Sequence, residues 1–124
     1  MNTEYNFPIS CRTVAGCDVK TIKEESVGTI KDIMVDTETG DVAYIVLELH
    51  RDFLNLGNKY LALPWEAFDF HGQQRKVILV KADKEKLENA PGFEKDSWPV
   101  GSQHQFIGEI KSYYGYDRRK VLIE

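Results

Sequence analysis

The run Val42–Leu49 (VAYIVLEL) is apolar at every position but Glu48. Its β-branched and aromatic content predicts a strand in the middle of a sheet, covered on both faces. Residues 29–36 also carry apolar side chains on both sides when extended, with Ile30, Met34 and Asp36 on one and Ile33 and Val35 on the other. Between these strands lies Asp36-Thr37-Glu38-Thr39-Gly40-Asp41, a hairpin connection. Gly40 supplies a positive φ without steric cost, and the Asp36 carboxylate can accept from backbone N–H groups a few residues on. Lys59–Leu63 predicts the next strand, with Leu61 and Leu63 on one side. Pro64 has no N–H and ends the ladder, after which Trp65 is expected to plug the core and residues 65–68 to turn the corner.

Shorter patterns flank this centre. Ile9–Thr13 and Val19–Lys23 read as two short strands around a turn at residues 15–18, and Gly28 as a strand start where the backbone passes close to a neighbour. Phe68 and Phe70 alternate with Asp69 and His71, and Val77–Val80 (VILV) is the last strand of the set. The grammar then becomes helical over residues 82–90, with Asp83 as N-cap, Leu87 and Ala90 as the apolar side, and Pro91-Gly92 as the stop. Phe93 and Trp98 follow in a segment expected to be irregular and to pack on the domain it leaves. A second helix is predicted over residues 103–114, ending at Gly115. Phe106, Ile110, Tyr113 and Tyr114 share one of its faces, which must be buried on its own domain or on a second copy. The loop Phe53-Leu54-Asn55-Leu56-Gly57-Asn58 holds three large apolar residues, either capping the end of a barrel or forming a patch that binds a partner. The tail offers Val121-Leu122-Ile123, which could add to a sheet edge.

The order of these signals resembles the PRC-barrel domain, known from the cytoplasmic part of the photosynthetic reaction centre. The resemblance rests on Val27-Gly28-Thr29-Ile30-Lys31-Asp32-Ile33, Val35-Asp36, Thr39-Gly40 and Ala43-Tyr44. It continues through Phe53-Leu54, Gly57, Lys59, Leu63-Pro64-Trp65 and Leu87-Glu88-Asn89-Ala90-Pro91-Gly92-Phe93, so that it spans residues 8–98. The tail, with Trp98-Pro99 and Tyr113-Tyr114-Gly115-Tyr116, looks like the free-standing members of the family. The resemblance implies a mainly β fold, a small six-stranded β-barrel with a short helix after the last strand and a C-terminal helical extension. It divides the chain into a barrel domain over 1–98 and an extension over 99–124. Gly28, Asp36, Gly40, Pro64, Trp65 and Pro91 are the positions that define the fold. The resemblance also implies a role in protein contacts or assembly, with no shared active site and no cofactor to carry over.

Composition narrows the function classes. The 124 residues carry a net charge of −4, which argues against non-specific nucleic-acid binding. Arg118-Arg119-Lys120 beside Tyr116 is the lone basic cluster, and a ribosome or RNA role by analogy with the maturation-factor branch rests on it alone. No apolar stretch reaches membrane-spanning length, and the N-terminus has no signal-peptide pattern, so the expected location is cytoplasmic. Thiols stay reduced there, so Cys11 and Cys17 read as two small residues in or near the first hairpin, with a disulfide or redox pair as the alternative, and the two do not make a zinc site with the scattered histidines. Asp32, Asp36 and Glu48 are the carboxylates that an enzyme or small-ligand binder would use, and Asp69 with His71 lacks a nucleophile to serve. The reading these observations support is a non-enzymatic interaction domain, self-associating as a homodimer. Its candidate surface is Phe53, Leu54 and Leu56 with Phe106, Ile110, Tyr113 and Tyr114.

Overall fold

A computed structural model describes residues 8–70 and 77–116. The elements are α1 (Cys11–Val14), β1 (Asp18–Thr21), β2 (Ser26–Val35), β3 (Val42–Leu49), β4 (Lys59–Leu63), β5 (Phe68–Asp69), β6 (Val77–Val80), α2 (Lys84–Glu88), β7 (Gly92–Glu94) and α3 (His104–Tyr114). A single 3-10 turn at Trp65–Ala67 joins β4 to β5. The fold is mainly β, with one sheet in the order β5-β6-β1-β2-β3-β4-β7. Every neighbouring pair is antiparallel except β1 and β6, which run parallel.

The structure corrects the expected strand count and the expected N-terminal strand. The sheet has seven strands among the described residues and does not close into a barrel, where six closed strands were expected. The extra strand is β7, whose Phe93 lies opposite Tyr60 in the segment expected to be irregular. The other correction is at the N-terminus, where residues 11–14 form a helical turn rather than a strand. Three backbone bonds hold it, from Thr13 and Val14 N–H to the Ser10 carbonyl and from Ala15 N–H to Cys11. The prediction of a strand rested on a few β-favouring side chains alone, and local i to i+3 and i+4 bonding won over that weak propensity.

The sheet nevertheless curls round one core. Val19 of β1, Val27 and Ile30 of β2, Ile45 and Leu47 of β3, Leu61 and Leu63 of β4, Phe68 of β5 and Val80 of β6 pack in a single cluster with Leu87 of α2. Strands far apart in the hydrogen-bonded order can share a core only if the sheet bends back on itself. Bulges supply part of that bend. Between Ile30↔Leu47 and Asp32↔Val46, β2 spends one extra residue, Lys31. The bulge brings Ile33 to the same core as Ile30 and sends Met34 to the opposite face, which strict alternation had paired with Ile30.

The hairpin and close-approach signals hold. Asp36 Oδ1 accepts from Glu38 N–H at 2.8 Å, and Gly40 has φ +81°. At Gly28 a Cβ would stand 2.0 Å from the Glu48 carbonyl oxygen, so only glycine lets β2 and β3 approach there. Asp83 Oδ1 caps α2 by accepting from Lys86 N–H at 2.9 Å. Trp65 is half-buried at the margin of the core, stacked on Phe70 with ring centres 4.1 Å apart, rather than plugging its centre.

Candidate functional site

The second face of the sheet is covered by α3. Tyr44 and Val46 of β3 and Tyr60 and Ala62 of β4 point away from the main core and pack against Ile110, with Phe106, Ile107, Phe93 and Trp98 around them. This explains why VAYIVLEL has no polar side: Ile45 and Leu47 face the inner core, whereas Tyr44 and Val46 lie under the helix. The rings meet edge-on, Tyr44 with Phe106 at 5.4 Å and Tyr60 with Trp98 at 5.5 Å, the favoured arrangement for aromatic pairs. Tyr44 Oη donates to Gln103 Oε1 at 2.7 Å, which ties the start of the helix to the sheet. At the other end Tyr113 Oη donates to the Lys86 carbonyl, and Lys86 Nζ stands 4.2 Å over the Tyr113 ring. The phenol of Tyr113 is pushed above the ordinary tyrosine range by burial first and by the Asp83 carboxylate second. Tyr114 is pushed further by burial, and its hydroxyl has no hydrogen-bond partner among the described residues.

The candidate surface residues therefore divide. Ile110 is fully buried on its own chain, and Phe106, Tyr113 and Tyr114 are half-buried there. Phe53 is 9% exposed and belongs to the inner core, while Leu54 and Leu56 are half-buried against it. The loop is held by Phe53 and Leu54 N–H groups donating to the His50 carbonyl, and by Gly57 N–H donating to Asn55 Oδ1. It leaves β3 where His50 N–H bonds the Val27 carbonyl. That places it at the same end of the sheet as the β1–β2 turn at residues 22–25.

That turn contains what the sequence reading missed. β1 ends at Thr21, so Ile22 sits in the turn, 69% exposed, rather than inside a strand running to Lys23. The signal was present in Thr21 and Glu25, which make a side-chain turn motif of the kind Ser and Thr favour. Thr21 Oγ1 accepts from Lys23 N–H and Glu25 N–H, each at 3.2 Å.

The carboxylates named for acid–base work do not converge. Asp32 Oδ1 accepts from its neighbour Ile33 N–H, Asp36 organises its hairpin, and Glu48 pairs with Lys95 at 3.1 Å. A cleft of about 530 Å³ between the β2–β3 hairpin and the start of α3 includes Asp36 and Glu38 in its wall, but neither Asp32 nor Glu48. Among the described residues no cluster of three or more His, Cys, Asp or Glu could hold a metal. Cys11 is exposed on α1, whereas Cys17 is buried with its Sγ donating to the Thr13 carbonyl at 3.0 Å, and the two form no disulfide. His71, the basic triplet 118–120 and the apolar trio 121–123 lie outside the described residues. Within the described residues no helix is long and apolar enough to cross a membrane.

No curated protein matches the chain. The family model described as the PRC-barrel domain matches residues 9–87, from α1 through Leu87 of α2. The match covers all but the last of the strands and the helix that closes the inner core, and it stops before β7 and α3, which build the second face. On that match, the chain belongs to the PRC-barrel domain family, whose domains serve in protein interaction and assembly.

Proposed function

We propose that this chain is a non-enzymatic, cytoplasmic interaction domain that associates with a second copy of itself. The observation that carries this reading is the way its interior is used. The space enclosed by the curled sheet is filled by Val, Ile, Leu and Phe side chains, which leaves surfaces as the place for recognition. Family membership supports the same conclusion, because its domains act through contacts. In this reading residues 1–98 are the interaction domain and residues 99–124 an extension whose helix completes its outer face. Leu54 and Leu56, half-exposed at the end of the sheet, contribute apolar area to the contact, with Phe53 as their support from below.

Light scattering on the purified chain across a concentration series tests it. The expected mass is twice the 14.3 kDa of one chain, falling toward a single chain on dilution. A mass of one chain at every concentration would sink the self-association.

A further inference from the structure

The apolar residue most exposed near the loop is Ile22, and its surroundings are built rather than loose. Beyond the two bonds to Thr21 Oγ1, Glu24 N–H donates to the Thr21 carbonyl at 2.8 Å and Thr21 N–H to the Glu25 carbonyl at 2.9 Å. Glu24 adopts φ +67°, a left-handed conformation disfavoured for a side chain of its kind. Four hydrogen bonds and one strained residue thus fix a tight turn whose product is an aliphatic side chain held in solvent. A turn whose backbone is fixed in advance loses little freedom when the side chain it presents docks, which suits an interface anchor.

The anchor itself forms, with Ala82, the apolar part of the wall of a groove of about 440 Å³ between this turn and the start of α2. Its charged lining is Lys23, Lys81 and Lys84 against Glu25, Asp83 and Glu85. The groove is thus formally neutral in a chain of net charge −4, whose copies otherwise repel one another. Three ammonium groups and three carboxylates around one groove are complementary to themselves. Knob and groove also lie side by side, as a two-fold interface requires, because each copy must offer both. Lys84 Nζ, on the rim of the groove, stands 5.7 Å over the Phe53 ring, so the rim adjoins the Phe53–Leu56 loop.

We infer that the β1–β2 turn and the groove beside α2 form a homotypic docking face, in which Ile22 of each copy enters the groove of the other and the lysines of one rim meet the carboxylates of the other. This rests on the self-association proposed above and names the surface that carries it. A second copy, rather than nucleic acid or a strongly charged partner, fits a groove with balanced charge.

Sedimentation velocity on three proteins tests it: the wild type, Ile22→Glu, and the double variant Lys23→Glu/Lys84→Glu. All three side chains lie at the surface, so each variant is expected to keep the wild-type circular dichroism spectrum. Both variants should weaken dimerisation by about 10-fold or more, and the wild-type dimer should loosen as salt is raised. A wild type that dimerises while both folded variants dimerise equally well overturns this face and leaves self-association standing. A wild type that stays a single chain overturns both. If Ile22→Glu does not fold, the double variant decides alone.

Discussion

The two faces of the β3–β4 ribbon are built on different terms. The inner face meets aliphatic side chains from β1, β2 and β6 and from α2, together with Phe68 of β5, so its burial depends on much of the chain closing round it. The outer face carries Tyr44, Tyr60, Val46 and Ala62 and depends on one helix and the segment leading into it. Inner contacts are mainly aliphatic and directionless; outer contacts include edge-on aromatic pairs, with the Tyr44 hydroxyl bonded to Gln103. Folding the sheet therefore makes the inner core, whereas the outer cluster forms only when α3 docks. The interior fixes the fold, and the covering helix is the part that can be loosened without losing it.

Leu61→Ala attacks the inner face at a fully buried position and has the largest expected effect, a loss of about 2–5 kcal/mol. Urea unfolding should show one cooperative transition at a lower midpoint with an unchanged slope. Ile110→Ala removes the fully buried anchor of α3 and is expected to cost about 2 kcal/mol, at the lower end of the same range. Hydrogen exchange separates the two variants. In Ile110→Ala the amides of α3 should lose protection while those of β3 keep it; in Leu61→Ala both should fall together. Equal loss on both faces in the helix variant would break the comparison and make the molecule one indivisible unit.

Much of this contrast was legible in the chain. The run VAYIVLEL, apolar but for Glu48, announced a strand covered on both sides, and Phe106 and Ile110 marked the helix face that covers one of them. Asp36 and Gly40 gave the hairpin and Asp83 the start of α2, because turns and caps are chosen by local chemistry within a few residues. What was not legible depended on long-range register. The bulge at Lys31, which carries Met34 to the outer face, exists only relative to β3. Gly92–Glu94 becomes a strand because Lys59–Leu61 offers it a partner, and nothing in GFE itself demands that. Ile22 was hidden by a strand boundary drawn two residues too far. The Phe53–Leu56 loop was read correctly as apolar, but how far each residue turns inward is decided by α2 and β2 beneath it.

Tyr114→Phe sharpens the comparison from the opposite direction, because it should stabilise. The Tyr114 hydroxyl is buried without a partner among the described residues, and removing it is expected to gain about 1 kcal/mol. Its raised pKa adds a signature in pH. Burial keeps the phenol protonated in the folded state at pH values where the unfolded chain has lost the proton. The folded state then binds more protons, so stability is full below the ordinary tyrosine pKa near 10 and falls as pH rises above it. Tyr44, also raised by burial, acts in the same sense. Thermal melts of the variant should therefore lie above those of the wild type at neutral pH, with the gap widening in alkali. A gap that stays constant into alkali would mean that the hydroxyl titrates alike in both states, so that it already reaches water and its site on the helix is open at that point.

The smallest expected effect lies at the rim of the outer face. Lys95 Nζ pairs with Glu48 Oε2 at 3.1 Å, and the same ammonium stands 5.1 Å over the Tyr60 ring. Both side chains remain partly in water, 30% and 38% exposed, so solvent screens the pair and its worth is limited. Glu48→Gln should cost about 0.2–1 kcal/mol, and the difference from wild type should vanish at high salt. Glu48 sits in β3 opposite Thr29, so the substitution leaves the ladder intact and reports on charge alone. A loss of more than about 2 kcal/mol, insensitive to salt, is the behaviour of a buried pair. It would mean that the outer face is sealed from water as firmly as the inner one, and that α3 is part of the core rather than its cover.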